Sequence, residues 1–210
     1  MGQCRPDLDL IDAMNRDPAY PNFRHALLLV AIVLALQIAF AIPLGVLGFV
    51  MDARLIESPW SLGAINLLAI GLVLGWGCWK TGAPWDDLFP LRAIPLAVWP
   101  AVVVSQSGML IVGSELDNLV RSLLPPPSFF TEMFADLTGD GSGGSFFALV
   151  LVAPLTEELL FRGLILRGLL RRGSVTAAII LSALLFGLLH LKPWQSFTTT
   201  MVGLLLGWWA

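Results

Sequence analysis

Glu157, Glu158 and Arg162 place three ionisable side chains within six residues of an otherwise apolar stretch. At the centre of a bilayer each would cost about 2.5 to 3.5 kcal/mol on insertion scales, so such groups should face a protein interior or a hydrated cavity. Glu158 and Arg162 lie four residues apart with the acid first, the order that favours an ion pair on one helical face. Glu157 is then the carboxylate without a partner on its own helix.

The next apolar stretch contains Phe186 and His190, which lie four residues apart and therefore on one helical face. Histidine can exchange protons near neutral pH. The polar residues 171–174 predict a short connection between two antiparallel helices. Glu157 lies 15 residues before Arg172, and His190 lies 16 residues after Ser174. At 1.5 Å per residue these depths are about 22 and 24 Å, so the two side chains lie at matching levels. Such a carboxylate and imidazole can act together as a general base on water.

Each of these residues also has a purely structural interpretation. The pair of Glu158 and Arg162 could be a clasp that neutralises charge so that the helix can insert. His190 could be an interfacial histidine at a helix end, and Phe186 could simply pack in the core. Three amides in the apolar stretches could hydrogen-bond across helices without a functional role: Gln37, Asn66 and Gln106.

The composition is that of an integral membrane protein. The 210 residues are 57% hydrophobic and 13% charged, with a mean hydropathy of +0.81, whereas about 25% charged residues is usual in a soluble domain. A formal net charge of −3 argues against a basic surface, so nucleic acid is not an expected partner. Cys4 and Cys78 lie in unlike surroundings and suggest neither a disulfide framework nor a cysteine-based zinc site.

Five apolar stretches are long enough, or nearly so, to cross a bilayer as α-helices. They are residues 27–50, 60–79, 94–113, 146–170 and 175–191. The sequence therefore predicts an all-α, polytopic transmembrane helix bundle. Its expected parts are a polar segment at 1–25, three helices within 26–113, a Pro- and Gly-rich loop at 114–144, and a core at 145–210. A sixth apolar stretch begins near Thr198 and covers only about 20 Å by Ala210, so we expect the chain to be incomplete at its C-terminus.

Positively charged residues are unevenly distributed among the connections, which predicts the orientation of the bundle. With the N-terminus inside, eight Lys and Arg residues fall on the inner side and three on the outer side, so this orientation is favoured. The inner set is Arg5, Arg16, Arg24, Lys80, Arg92, Arg167, Arg171 and Arg172, and the outer set is Arg54, Arg121 and Lys192. Glu157 and His190 would then lie nearer the outer face, and we expect a multi-pass protein of a bacterial inner membrane.

Two common hydrolase templates are absent from the sequence. Its only histidines are His25 and His190, so it contains no His-Glu-x-x-His zinc helix. It also has no Gly-x-Ser-x-Gly nucleophile elbow. Serine chemistry is therefore disfavoured.

The pattern Glu157-Glu158-x-x-x-Arg162, followed on the next helix by Phe186-x-x-x-His190, resembles the CPBP family of intramembrane proteases, the CAAX-processing and bacteriocin-processing group. The resemblance covers about residues 145–210. It implies a helix bundle around a membrane-embedded peptidase site, in which Glu157 and His190 activate water for attack on a peptide carbonyl. Glu158 and Arg162 would support that site, and Phe186 would shape its cavity.

The resemblance leaves the cofactor open. The family has been described both as metal-dependent and as a glutamate-type protease without an essential metal, so a divalent metal such as zinc and no metal at all are both possible. One His and two Glu are too few to decide, because catalytic zinc usually takes three protein ligands. The family's last motif, His-x-x-x-Asn or His-x-x-x-Asp on a later helix, does not occur before Ala210, which puts the full activity of this chain in doubt.

The expected partners are membrane lipid and a peptide or protein substrate, for example a prenylated or leader-bearing one. Two other function classes remain open. A proton-coupled membrane transporter would also place a carboxylate, an arginine and a histidine inside a bundle. A noncatalytic membrane scaffold or immunity protein would keep the bundle without its activity.

Overall fold

The fold is all-α, as the long apolar stretches predict. A computed structural model describes residues 17, 19–51, 55–56, 58–89, 93–128, 131, 135 and 143–210, and these residues contain helices and no strand. Cys4, most of the polar segment 1–25 and most of the loop after Pro127 lie outside the described residues, as do Arg54 and Arg92 of the charge count.

Seven helices are formed by the described residues. Their bounds are α1 Phe23–Met51, α2 Pro59–Thr81, α3 Trp85–Leu88, α4 Trp99–Leu123, α5 at 143–170, α6 Val175–Leu189 and α7 Pro193–Trp209. In the part of the chain that the structure describes, three helical stretches are long and apolar enough to cross a membrane, namely Phe23–Met51, Pro59–Thr81 and Leu96–Leu123. Helix α6 is also apolar, but its 15 residues make it shorter.

Helix α4 continues beyond the stretch predicted for it. The sequence interpretation ends the third span at residue 113 and begins a loop at 114, whereas the structure keeps the chain helical to Leu123. Polar side chains do not end a helix by themselves, and Arg121 pairs with Asp117 one turn earlier. The helix ends at Leu123, two residues before Pro125 and thus close to the proline-rich boundary.

Helix α5 contains two π-helical turns along its length. Its consecutive parts are α Gly143–Phe146, π Phe147–Val152, α Ala153–Glu158, π Leu159–Ile165 and α Leu166–Leu170. The backbone stays in the right-handed helical region at each junction, so the segment is one continuous helix. Turns of π-helix occur often at functional sites. Both glutamates lie at the end of the α turn between the two π turns.

The core lies where α5 passes between α1, α2 and α6. The central part of α5 is buried without a break from Leu160 to Leu166. Apolar side chains of three other helices pack against it, among them Leu29 and Val33 of α1, Ile70 and Val73 of α2, and Leu185 and Phe186 of α6. Burial of such side chains stabilises each by about 1.5 to 3 kcal/mol in water, and in lipid close packing replaces this hydrophobic gain. The segment with the predicted site therefore contributes a continuous stretch of the core.

Three parts of the chain meet at one end of the bundle. The Arg172 side chain, in the connection between α5 and α6, donates to the carbonyl oxygen of Ala19 at 2.8 Å and pairs with Asp17. The backbone N–H of Asp17 donates to the carbonyl oxygen of Lys80, near the end of α2, at 3.0 Å. The segment before α1, the end of α2 and the connection at 171–174 thus share one end, as the charge-based topology requires.

Candidate functional site

The Arg162 guanidinium joins three helices at the centre of the site. It lies on the second π turn of α5 and is buried, with Nη1 at 3.1 Å from Oε1 of Glu158. Its Nη2 donates to the carbonyl oxygen of Gly203 on α7 at 3.4 Å. The guanidinium carbon also lies 4.7 Å from the ring centroid of Phe186 on α6, the arrangement of a cation–π contact. The ion pair predicted between Glu158 and Arg162 is therefore present.

The Phe186 ring links this ion pair to the histidine. It is buried and meets the rings of Phe161 and His190 edge to face, with centroid distances of 5.1 and 5.2 Å. A continuous chain of contacts consequently runs from Glu158 through Arg162 and Phe186 to His190. Four of the five residues singled out in the sequence take part in this series of contacts, and the fifth is Glu157.

The contact between Arg162 and Phe186 fixes the relative levels of α5 and α6. The short connection at 171–174 makes these helices antiparallel. Glu158 lies one turn beyond Arg162 and His190 one turn beyond Phe186, and both turns lead away from the connection. Glu157 belongs to the same turn as Glu158 and is partly buried. Within the described chain its carboxylate makes no direct hydrogen bond to His190, so their joint action stays a prediction.

The hydrogen bond of His190 determines which ring nitrogen can accept a proton. Its Nδ1 lies 3.0 Å from the carbonyl oxygen of Phe186. A carbonyl oxygen only accepts, so Nδ1 carries the hydrogen and donates it. In the neutral imidazole the lone pair then lies on Nε2, which can accept a hydrogen bond from water or from a substrate group.

His190 lies where α6 ends. This position agrees with the structural interpretation of His190 as a histidine at a helix end. His190 caps the helix, and the next residue, Leu191, has a φ of 52°, in the left-handed region that non-glycine residues rarely adopt. Such strain is found often at functional sites. Lys192 follows in the connection to α7, and burial lowers the pKa of its ammonium group. The imidazole is partly buried, which distinguishes it from a histidine exposed at the interface.

A polar network next to the glutamates has no assigned role in the sequence interpretation. Gln37 Nε2 on α1 donates to Asn66 Oδ1 on α2 at 3.0 Å, and Asn66 Nδ2 donates to Thr156 Oγ1 on α5 at 3.3 Å. The hydrogen bonds expected across helices are thus present for Gln37 and Asn66, whereas Gln106 makes none within the described residues. An amide side chain in an otherwise apolar stretch indicated a hydrogen bond across helices, but the sequence did not identify Thr156 as the partner of Asn66.

The residues described do not form a metal site. They contain no group of three or more His, Cys, Asp or Glu side chains placed to hold a metal ion. The zinc that the family resemblance leaves open therefore lacks a ligand set in this part of the chain. A metalloprotease assignment is therefore not supported by the described residues.

Comparison with known families identifies the segment that carries the site. Residues 142–210 match the family model described as Type II CAAX prenyl endopeptidase Rce1-like. The match spans roughly a third of the chain and includes all five of the predicted site residues. It confirms the resemblance that the two motifs indicate. Neither the curated proteins nor the solved structures gave a match to this chain.

Proposed function

We propose that this protein is an intramembrane endopeptidase that cleaves a membrane-associated substrate, because residues 142–210 match the Rce1-like family model of CAAX prenyl endopeptidases. The observation that carries the proposal is the chain of contacts from Glu158 through Arg162 and Phe186 to His190 within the matched segment. The family match favours a peptidase over a transporter or a scaffold, because it concerns the same residues.

In the proposed reaction Glu157 acts as the general base. Its carboxylate takes a proton from a water molecule while the water oxygen bonds to the carbonyl carbon of the substrate. The tetrahedral intermediate then collapses, the C–N bond breaks, and the proton passes to the leaving nitrogen. One water is consumed, and one carboxyl group and one amine are formed.

His190 serves as the partner of Glu157 in this scheme. With Nδ1 donating to the Phe186 carbonyl, Nε2 accepts a hydrogen bond from the same water and orients it. Arg162, held by Glu158 and by the Phe186 ring, keeps α5 and α6 at fixed relative levels. Phe186 forms the apolar wall between the ion pair and the imidazole.

The proposed substrate class is a peptide or protein held at the membrane, either prenylated or bearing a leader segment. The site lies on helices that are apolar and packed against the proposed spans, so a substrate anchored in lipid reaches it by diffusion in the bilayer. A lipid anchor of this kind raises the local concentration at the membrane.

The test compares two Glu→Gln variants of the protein reconstituted in liposomes. Glu157→Gln removes the proposed base and should lower kcat by about 10² to 10⁴-fold, the range typical of general-base loss. Glu115→Gln makes the same chemical change on the exposed face of α4 and should leave cleavage unchanged. Cleavage of a fluorogenic farnesylated peptide and of a leader peptide is measured by product release. Equal kcat values for Glu157→Gln and the parent protein would refute the proposal.

A further inference from the structure

We propose that Asn66, acting through Thr156, is a positioning residue for the Glu157 carboxylate, an inference that rests on the proposed peptidase function. Asn66 lies on α2, outside the segment that matches the family model. Its amide nevertheless bonds to the residue directly before Glu157. The inference therefore assigns part of the site to the N-terminal helices.

The hydrogen bonds of this network all run in one direction. Gln37 donates to Asn66, Asn66 donates to Thr156, and the Thr156 hydroxyl donates to the carbonyl oxygen of Val152 at 2.8 Å. Thr156 is buried, with 4% of its surface exposed. The Asn66 amide thus uses its oxygen towards α1 and its nitrogen towards α5, so an Asp or Leu at this position cannot reproduce both bonds.

A close approach of two helices allows so short a side chain to reach across. A Cβ added to Gly63, three residues before Asn66, would lie 3.3 Å from Cβ of Ala148 on α5. The backbones of α2 and α5 are therefore near each other at this level, as small residues permit in membrane helices.

The π turns of α5 explain why the turn with the glutamates needs a hydrogen bond from another helix to hold its position. The α turn Ala153–Glu158 lies between two π turns, so its hydrogen-bond ladder changes register at both ends. Its carboxylates are consequently not fixed in direction by a long regular helix. The Thr156 hydroxyl bonds to Val152, the last residue of the first π turn, and holds the turn against α2. A displacement of about 1 Å at a reacting group can lower a rate about 10²-fold.

The variants in the experiment separate the hydroxyl from the shape of the side chain. Thr156→Val keeps the volume and loses the hydroxyl, whereas Thr156→Ser keeps the hydroxyl. Asn66→Leu removes the amide on the other side. We expect Thr156→Val and Asn66→Leu each to lower kcat by roughly 10- to 100-fold with little change in KM, and Thr156→Ser to retain most of kcat. The double variant should lose no more than the larger single effect, because both changes break one connection.

Two matched controls make the same changes away from the network. Thr199→Val removes a hydroxyl that bonds to Gln195 within α7, and Gln106→Leu removes an amide on α4. Both should keep the parental kcat. Thermal unfolding in detergent is measured for each variant to check that it folds. If Thr156→Val does not fold, Asn66→Leu tests the same hydrogen bond from the other side, and the reverse holds if Asn66→Leu does not fold.

The outcomes distinguish this inference from the function on which it rests. Equal cleavage by the parent protein and Glu157→Gln would overturn the peptidase function and this inference with it. An inactive Glu157→Gln together with parental kcat in folded Thr156→Val or Asn66→Leu would overturn the positioning role alone. Additive losses in the double variant, or an equal loss in Thr156→Ser and Thr156→Val, would also overturn it.

Discussion

The ion pair between Arg162 and Glu158 joins two side chains that are unequally buried. The Arg162 side chain is 9% exposed and that of Glu158 is 41% exposed. Within the described residues, Nε and Nη1 of Arg162 have no hydrogen-bond partner, so the guanidinium is held by the opposite charge of Glu158, by the Gly203 carbonyl oxygen bonded to Nη2, and by the Phe186 ring. Phe186 thus contacts both groups, because the guanidinium lies over its ring and its ring meets that of His190 edge to face.

Because Arg162 is more deeply buried than Glu158, we expect removal of the two charges to lower the stability of the protein by different amounts. Glu158→Gln leaves a buried guanidinium that cannot lose its proton, at a cost of about 2 kcal/mol or more. Arg162→Met leaves a carboxyl group that becomes neutral by taking up a proton, so the cost should be smaller, about 1 kcal/mol. Thermal unfolding of both variants in the same detergent measures the difference. A lower unfolding temperature for Arg162→Met than for Glu158→Gln would contradict this account.

At the scale of elements, apolar length predicts where helices occur but not how they wind. The sequence predicted a helix over 146–170, and the described structure has one over 143–170. Its first π turn has a cause visible in the sequence, because Pro154 has no N–H for the carbonyl of Val150. The second π turn coincides with the packing of Gly163 against Phe89, where an added Cβ would lie 2.1 Å from Cε1. That contact joins distant parts of the chain, so no local pattern foretells it.

The packing of α6 against α7 also depends on glycine, and it predicts a contrast between two Gly→Ala variants. At Gly187 an added Cβ would lie 2.0 Å from Oγ1 of Thr200 and 2.7 Å from the carbonyl oxygen of Ser196, whereas at Gly75 on α2 it would meet nothing within 4 Å. Both positions are helical and share the gain in helix propensity of about 1 kcal/mol. Because the Ser196 carbonyl belongs to the backbone and cannot move aside, whereas an alanine at Gly75 meets no other atom, Gly187→Ala should be less stable than Gly75→Ala by about 1 to 3 kcal/mol. Thermal unfolding tests the order, which equal midpoints would contradict.

At the scale of the whole molecule, the charge bias predicts which segments share an end of the bundle. Contacts of Arg172 with Ala19 and of Asp17 with Lys80 join segments that the charge count assigns to the same side. The same packing explains Gly168 on α5, where an added Cβ would lie 2.4 Å from the backbone nitrogen of Pro21. Contacts within a bundle are identical in either orientation, so the side of the membrane follows only from the positive-inside rule.

That rule predicts opposite accessibility for the two connections that flank α6. In a variant with Cys4 and Cys78 replaced by serine, a cysteine at Gly173 should lie inside and one at Pro193 outside. Both positions are exposed, and an added Cβ at Gly173 meets nothing closer than 3.7 Å. A membrane-impermeant maleimide added to intact bacterial cells should therefore label Pro193→Cys at once, and Gly173→Cys only after permeabilisation.

Labelling in detergent serves as the control, since both cysteines should then react fully. The reverse labelling pattern in intact cells would show that the bundle has the opposite orientation to the predicted one, because a single helix of 15 residues joins the two connections. His190 lies at the end of that helix close to Pro193, so the same result also shows which face of the membrane the imidazole is nearer. Labelling of Pro193→Cys from outside places the proposed site nearer the outer face, and labelling of Gly173→Cys from outside places it nearer the cytoplasm.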